Sequence, residues 1–505
     1  MSRVLGASLV GVDGVAVEVE VRISSQLPRV DIVGLPEAAV RESASRVRAA
    51  LAAHSERFPD RRITVNLAPA AMRKSGAGLD LPIAVGILAA EAQVPAQALR
   101  HVGLLGELAL DGRLRPVRGA LALTLALRNA GCRRVVVPTA SGPEASLAPG
   151  VVVTVASDLG AVLRHLRGGE PLATPPPPPE GSAAATPLDL ADVRGQESAR
   201  RALEVAAAGG HALLFQGPPG SGKTMLARRL PALLPPPDAE EILEATRIYG
   251  AAGLLDERNP VVRQRPFRAP HHSASPAGLL GGGNPPGPGE VSLAHTGVLF
   301  LDELPEFERR SLEGLRQVLE DRLVVVARAR NRCAFPARFQ LLAAANPCPC
   351  GWRLSQARDC RCDDRALARY AARLSGPLWD RIDLRVEVPA VPWKELDAGD
   401  PGASSIEVRE RVCAARALQT ERLARFGART NAEIPDSVLD AQVAATPDAR
   451  ALVGRAVDGL GLSARGARRV LRVARTVADL AGNERIGPNA VAEALAYRSE
   501  DGRGV

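Results

Sequence analysis

The sequence predicts an α/β fold in two strand-bearing regions closed by an all-helical C-terminal region, and three observations predict it. Short apolar runs with strand character alternate with helical runs from residue 15 to residue 345. A stretch at 169–187, with PPPPP at 175–179 and GSAAATP after it, interrupts that alternation and reads as an extended, exposed linker. Beyond Lys394 no run has strand character, whereas 405–426, 435–445, 449–460, 464–481 and 488–497 all read as helices. A chain of 505 residues is too long for one core. The predicted units are therefore an α/β domain at 1–168, the linker at 169–187, a parallel-sheet core at 188–393 and a helical lid at 394–505.

In the first unit, Val15, Val17, Val19, Val21 and Ile23 alternate with Ala16, Glu18, Glu20 and Arg22. That period of two marks a half-buried strand rather than a signal peptide. Further strands are expected at 63–68, 134–138 and 151–156. Between them Val40, Ala44, Val47 and Leu51 form one helical stripe after Pro36, and Ile83, Ile87 and Leu88 form another. No apolar run is long and uncharged enough to span a bilayer. Of seven cysteines, four cluster between Cys348 and Cys362, while Cys132, Cys333 and Cys413 are scattered, which suits a reducing compartment. A cytoplasmic protein is the expectation.

The core announces its chemistry. GPPGSGKT at 217–224 follows the apolar run HALLF and precedes the helical MLARRL, the strand–loop–helix setting of a phosphate-binding loop. Gly217, Gly220 and Gly222, with Pro218, Pro219 and Ser221 between them, let backbone N–H groups close around phosphate oxygens at a helix N-terminus. Lys223 would reach the β and γ phosphates of ATP, and Thr224 would ligate Mg²⁺. Lysine occurs only at 74, 223 and 394 in this arginine-rich chain, so a compact ammonium at 223 stands out. The second strand, VLFL at 298–301, ends in Asp302, placed to hold Mg²⁺ through water, and Glu303, placed to polarise the attacking water. A third, QLLAAA at 340–345, ends in Asn346, able to orient that water. Three polar strand ends on one parallel sheet describe a site at its carboxyl edge.

With these residues in place, the order of phosphate loop, LDE strand, Asn-ended strand and helical lid resembles AAA+ ATPases, in their magnesium-chelatase-like branch. RPFRAPHHSAS at 265–275, GEVSLAHTGVLFLDELPEF at 289–307, FPARFQLLAAANPCPCG at 335–351 and RLSGPLWDRIDL at 373–384 closely resemble the ComM/YifB group of bacterial proteins. The resemblance implies a hexameric ring with ATP bound between subunits. It also implies that Arg381, in WDRID, is an arginine finger entering the neighbouring site, and that Arg465, in LSARGARRVLRVAR, is the sensor-two arginine. Gly195 and Gln196, in DVRGQ, are expected near the adenine, or else form a simple helix-start turn. The implied activity is that of an ATP-driven motor on DNA, a branch-migration helicase in recombination and uptake of foreign DNA. A net charge of +8 suits an anionic partner. The competing reading is a chelatase-type subunit that remodels a protein partner.

The first unit resembles the proteolytic domain of Lon proteases through VGLPEAAVRESASRVRAA, GLDLPIAVGILAA and GELALDGRLRPVRGAL. Leu121 and Leu123 stand where that family's lysine would fall, and Lys74 and Ser75 lie outside its pattern, so a non-proteolytic scaffold is expected.

Two further clusters carry chemistry. Cys348, Cys350, Cys360 and Cys362 form C-x-C-x9-C-x-C, which could hold one structural Zn²⁺ or remain four free thiols. Arg328, Arg330 and Arg332 alternate with small residues in VVVARARNRCAF. As one strand they would form a basic row tracking a DNA backbone, or a solvated edge guarded by charge. GLLGGGNPPGPGE at 278–290 is expected as a mobile substrate-facing insertion or a long loop. His271 and His272, adjacent and without evident partner ligands, are expected to be structural.

Overall fold

The computed structural model describes residues 1–177, 188–328, 331–353, 358–373, 376–379, 381–398, 401–460 and 462–498. Most of the linker's Pro/Ala run and Arg330 lie outside these.

The N-terminal sheet is built from β1 (Ser2–Val10), β2 (Asp13–Ser24), β3 (Arg29–Val33), β4 (Arg62–Ala68), β5 (Val102–Leu104), β6 (Arg134–Pro138) and β7 (Val152–Ala156). Its order is β3-β4-β2-β1-β5-β6-β7. The β1–β2 and β2–β4 pairs are antiparallel and the rest parallel. Helix α1 (Ser43–Ala53) buries Val47 and Leu51, as their spacing predicts. Helix α2 (Asp80–Ala90) is buried on every side from Asp80 to Leu88, because LPIAVGIL has no polar face to offer water. Asp80 is tolerated there because Arg46 and the Ser43 hydroxyl donate to its carboxylate. Helices α3 (Ala120–Asn129) and α4 (Leu159–Leu166) complete the layer.

The start of the linker is docked rather than fully exposed: the Val155 N–H donates to the Ala173 carbonyl at 2.9 Å.

After α5 (Glu197–Gly209), a second sheet collects β8 (Leu213–Gln216), β9 (Phe267–Arg268), β10 (Val298–Leu301), β13 (Gln340–Ala345) and β14 (Leu384–Glu387). Its order is β9-β10-β13-β8-β14, all parallel. Parallel strands need crossovers, and α6 (Lys223–Ala227), α7 (Ala239–Ala252) and α8 (Arg309–Asp321) supply them. All six residues of β13 are buried, as expected of a central strand. Between α8 and β13 lies a hairpin of β11 (Leu323–Arg328) and β12 (Asn331–Pro336). The arginine-rich run is thus two antiparallel strands and not one, and Arg332 pairs with Ala327. The 278–290 stretch carries secondary structure, with a short helix at Pro276–Leu280 and paired two-residue strands at Gly281–Gly282 and Gly287–Pro288.

The C-terminal helices α9 (Ser405–Leu423), α10 (Pro447–Leu460), α11 (Ala464–Leu480) and α12 (Pro488–Ala496) pack on α5 and on one another in a core continuous with that of the second sheet. Ser404 and Glu407 close a capping box at the start of α9, marking where the helical region begins.

The two sheets meet through named contacts. Val12, in the β1–β2 turn, is buried in one apolar cluster with Ile248 of α7 and Cys333 and Phe335 of β12. Asp13 pairs with Arg247 at 3.3 Å, and Arg118 donates to the Ala252 carbonyl at 2.9 Å. No described helix is long and apolar enough to cross a membrane.

Candidate active site

β8 ends at Gln216, and the chain turns through 217–222 into α6. Only glycine fits at 217, since a Cβ there would lie 2.1 Å from the Val388 carbonyl oxygen, and Gly222 has φ +92. Inside this loop the Lys223 ammonium is buried and donates to the carbonyls of Gly217 (2.7 Å) and Pro218 (2.8 Å) and to Asn346 Oδ1 (3.3 Å). Burial pushes the Lys223 pKa down against the opposing charges of Asp302 and Glu303. The Ser221 hydroxyl is buried with no hydrogen-bond partner among the described residues. An orphaned donor beside a glycine cradle and a buried ammonium fits a triphosphate.

The other strand ends converge on this loop. Thr224 Oγ1 donates to Asp302 Oδ2 at 2.7 Å, a hydroxyl and a carboxylate paired as a divalent-ion site of oxygen donors requires. Glu303 follows with φ 51, and its N–H donates to Asp302 Oδ1 at 2.9 Å. A non-glycine residue in the left-handed region is uncommon and costly, and such strain concentrates at functional sites. Gln196, with φ 56 beside Gly195 at φ +62, reaches the Ser221 carbonyl (3.5 Å) and the Pro389 carbonyl (2.6 Å). It ties the start of α5 to both the loop and the chain beyond β14.

One residue read as structural lies in this site. His272 Nδ1 is 3.2 Å from Glu303 Oε2, and the His271 and His272 rings are 4.1 Å apart. The sequence alone gives no hint of that partner, since it depends on which strand neighbours β10.

Arg381 and Arg465 lie elsewhere. Arg381 precedes β14, which runs parallel to β8, so it sits at the amino edge of the sheet while Lys223 sits at the carboxyl edge. Both arginines line a cavity of about 440 Å³ that also includes Glu320, Asp383, Arg468, Arg469 and Arg472. Arg381 pairs with Glu320, and burial together with the charges of Arg316, Arg469 and Arg465 pushes its pKa down. The lid holds the 381–383 segment: Arg469 donates to the Arg381 carbonyl (2.8 Å) and Asp383 Oδ1 (2.6 Å), and Arg498 to the Ile382 carbonyl (2.8 Å). Burial favours protonated Asp383, but the His211 hydrogen bond and the Arg469 charge outweigh it and hold that carboxyl below its ordinary value.

The four clustered cysteines do converge. Cys348 Sγ lies 3.4 Å from Cys350 Sγ and 3.7 Å from Cys360 Sγ, Cys350 and Cys360 are 3.7 Å apart, and all four sulfurs including that of Cys362 fall within 4.8 Å of one another. A tetrahedral ion with bonds of about 2.3 Å sets its sulfurs about 3.8 Å apart, so this donor set fits zinc. Backbone N–H groups of Arg361 and Trp352 lower the Cys350 thiol to about 6, while the crowding of the thiols raises those of Cys360 and Cys362. The cluster's turn packs closely on the 217–222 loop, where a Cβ at Gly351 would lie 2.7 Å from Pro219 Cδ.

In the N-terminal domain, Lys74 is fully buried and donates to the carbonyls of Gly34 and Pro69, and the Ser75 hydroxyl donates to the Leu9 carbonyl. Each is committed to backbone rather than to the other. Of the basic row, Arg332 is exposed on β12, and neither Arg330 nor the Arg328 side chain is among the described parts.

Comparison with known proteins agrees with this architecture. The family model for magnesium chelatase, subunit ChlI, matches residues 189–396, that for subunit ChlI of Mg-chelatase matches 19–141, and that for the subunit ChlI C-terminal region matches 402–498. An uncharacterized Mycobacterium tuberculosis protein is 45% identical over 507 residues, covering 100% of this chain and 99% of its own. The competence protein ComM of Haemophilus influenzae is 43% identical over 505 residues (99% and 97%). The uncharacterized protein YifB of Escherichia coli is 43% identical over 502 residues (99% and 97%). With full-length identity of this order and the chelatase-type models spanning both sheets and the helical end, the chain belongs to the ComM/YifB family of magnesium-chelatase-like AAA+ proteins.

Proposed function

We propose that the protein is an ATP-hydrolysing ring motor that acts on DNA, with its ATP sites between subunits. The observation that carries the ATPase reading is the convergence of Lys223, Thr224, Asp302 and Asn346 from three strand ends. In this reading the loop amides and Lys223 bind the β and γ phosphates, Thr224 and Asp302 hold Mg²⁺, Asn346 contacts the γ-phosphate region, and Glu303 takes a proton from the attacking water. The bound Mg²⁺ supplies charge neutralisation across the phosphate oxygens. Gln196 and Gly195 are assigned to the adenine side.

Arg381 and Arg465 face away from their own chain's phosphate loop, across the sheet. That placement supports roles in trans: in a closed ring, a hexamer by family likeness, one subunit's amino-edge cavity would abut the next subunit's loop. A crowded set of guanidiniums is what a triphosphate from a neighbour would neutralise. The DNA assignment draws on the relative named a competence protein, and on the arginine-bearing hairpin β11–β12 leading into the Asn346 strand. The N-terminal domain is read as a non-proteolytic scaffold.

The test is ATPase and strand-exchange activity of the purified chain on forked, four-way-junction and duplex DNA. Turnover stimulated by branched DNA, with strand exchange, supports the motor. ATPase indifferent to every DNA and stimulated by a protein partner instead supports a chelatase-type remodelling subunit, the reading that the chelatase-named family models favour.

A further inference from the structure

We infer that His211 is a positioning residue for the arginines offered to the neighbouring subunit, bolting the 381–383 segment to the lid helix α11. Arg381 is carried by that segment and Arg465 by α11, and both line the amino-edge cavity, so the bolt holds them as one set. The inference rests on the role in trans given to Arg381 above. The His211 ring is fully buried between the two elements. Its Nδ1 lies 3.4 Å from Asp383 Oδ2 and has no other hydrogen-bond partner among the described residues. With the proton on Nδ1, Nε2 accepts from the Thr476 hydroxyl of α11 at 2.7 Å, a shorter contact than the 3.1 Å from that hydroxyl to the Arg472 carbonyl.

Both ends of this link are fixed. The pairing of β8 with β14, Leu213 with Leu384, carried back past the strand starts puts Ala212 beside Asp383. The Ala212 N–H donates to Asp383 Oδ2 at 3.2 Å, and the N–H groups of Asp383 and Leu384 both donate to the Ala212 carbonyl at 3.0 Å. On the lid side Asn431 donates to the Thr476 hydroxyl at 3.0 Å, and Asn431 and Arg422 each donate to Asp479 Oδ2 at 2.7 Å. The end of α5 clears the space with glycine, since a Cβ at Gly209 would lie 2.2 Å from His211 Nε2 and 2.5 Å from Thr476 Oγ1. A buried polar ring served by one group from each element loses a partner if either moves, so it resists their separation. In the step it serves, the water oxygen forms the new bond to the γ-phosphorus and its proton passes to Glu303. The β–γ bridging bond breaks with its electron pair leaving on ADP, while the neighbour's Arg381 neutralises charge on the phosphoryl oxygens. A guanidinium displaced by about 1 Å can forfeit on the order of a hundredfold in rate.

The direction of complementation between subunits separates this role from a merely structural one. His211→Asn, which keeps an amide toward Asp383 and loses Thr476, and Thr476→Val, which cuts the link from the lid side at nearly constant volume, should each lower kcat about tenfold or more. Mixed in equal amounts with Lys223→Ala subunits, either should recover about a quarter of wild-type turnover, because its own loop is intact and its neighbour supplies the arginine. Mixed with Arg381→Ala subunits, neither should recover, because no interface then holds a well-placed arginine. Thr476→Val decides the matter if the larger change at His211 prevents folding. A mixture of Lys223→Ala with Arg381→Ala runs beside them. If that mixture recovers while a folded link variant matches the wild type alone, or complements Arg381→Ala, this inference falls and the reading in trans stands. Failure of a folded link variant to complement Lys223→Ala would put the defect in its own loop, and also overturns it. If the mixture of Lys223→Ala with Arg381→Ala stays inactive, the reading in trans falls and this inference falls with it.

Discussion

Thr224 Oγ1 donates to Asp302 Oδ2 at 2.7 Å although 78 residues separate them, and their strands are not neighbours, since β13 lies between β8 and β10. The bond therefore arches over the end of β13, where Asn346 accepts from Lys223 at 3.3 Å. Two bonds tie three strand ends into one pocket, and an oxygen pair with an ammonium beside it serves a metal–triphosphate better than it serves the fold.

If Arg381 works in the neighbour's site, subunits that are each inactive should complement. Lys223→Ala and Arg381→Ala are each expected to lack ATP hydrolysis, while an equimolar mixture, assembled together, should recover about a quarter of wild-type turnover. That is the fraction of random interfaces pairing an intact loop with an intact arginine. A mixture as inactive as its parts would place both residues in one chain's site.

The cysteine cluster leans on Pro219 through the Gly351 turn, so metal loss should be felt at the nucleotide. Native protein should carry about one zinc per chain after washing with a weak chelator. Cys350→Ser should lose that zinc and raise the KM for ATP several-fold, about 1 kcal/mol of binding. Zinc-free native protein with normal ATP binding would contradict this.

Glu144 sets a pH dependence. It is buried between Leu121, from whose N–H it accepts at 3.1 Å, and Gly250 of α7, where the N-terminal domain meets the domain of the second sheet. Burial raises its carboxyl from 4.5 to about 7. The folded form then holds a proton that the unfolded chain has released, so stability falls as pH rises from about 4.5 to about 7 and stays reduced above that. The upper bound is about 3 kcal/mol. Glu144→Gln keeps the acceptor for Leu121, and should raise the melting temperature at pH 8 while leaving it unchanged at pH 4. Equal effects at both pH values would rule out this titration.

The 217–224 loop stood out in the sequence because its pattern is local: eight contiguous residues between a strand and a helix. The strands at 298–301 and 340–345 were readable for a related reason, since central strands are apolar without a break. Edge strands gave no such signal. β9 is two residues long, and β14 reads LRVE, with charges at two of four positions, so only pairing with β10 and β8 makes strands of them. His272 was missed for that reason, because its partner is fixed by sheet order. The basic run read as one strand because Ala329 and Arg330, between β11 and β12, lack the Asn-Gly signature of a tight hairpin. β1 was missed because small residues such as Gly6, Ala7 and Ser8 dilute its apolar pattern. The clustering of cysteines was visible, whereas their common centre depends on the tertiary fold that brings Cys360 and Cys362 to Cys348 and Cys350.

The most direct test of the ATPase reading is hydrolysis of Mg-ATP by the purified protein beside two variants, with nucleotide binding measured in parallel. The wild type should turn over, Lys223→Ala should lose hydrolysis, and Glu303→Gln should bind ATP yet leave it uncleaved, with kcat down by on the order of a hundredfold or more. A wild type that fails to bind adenine nucleotide, or undiminished turnover in either variant, would contradict the account.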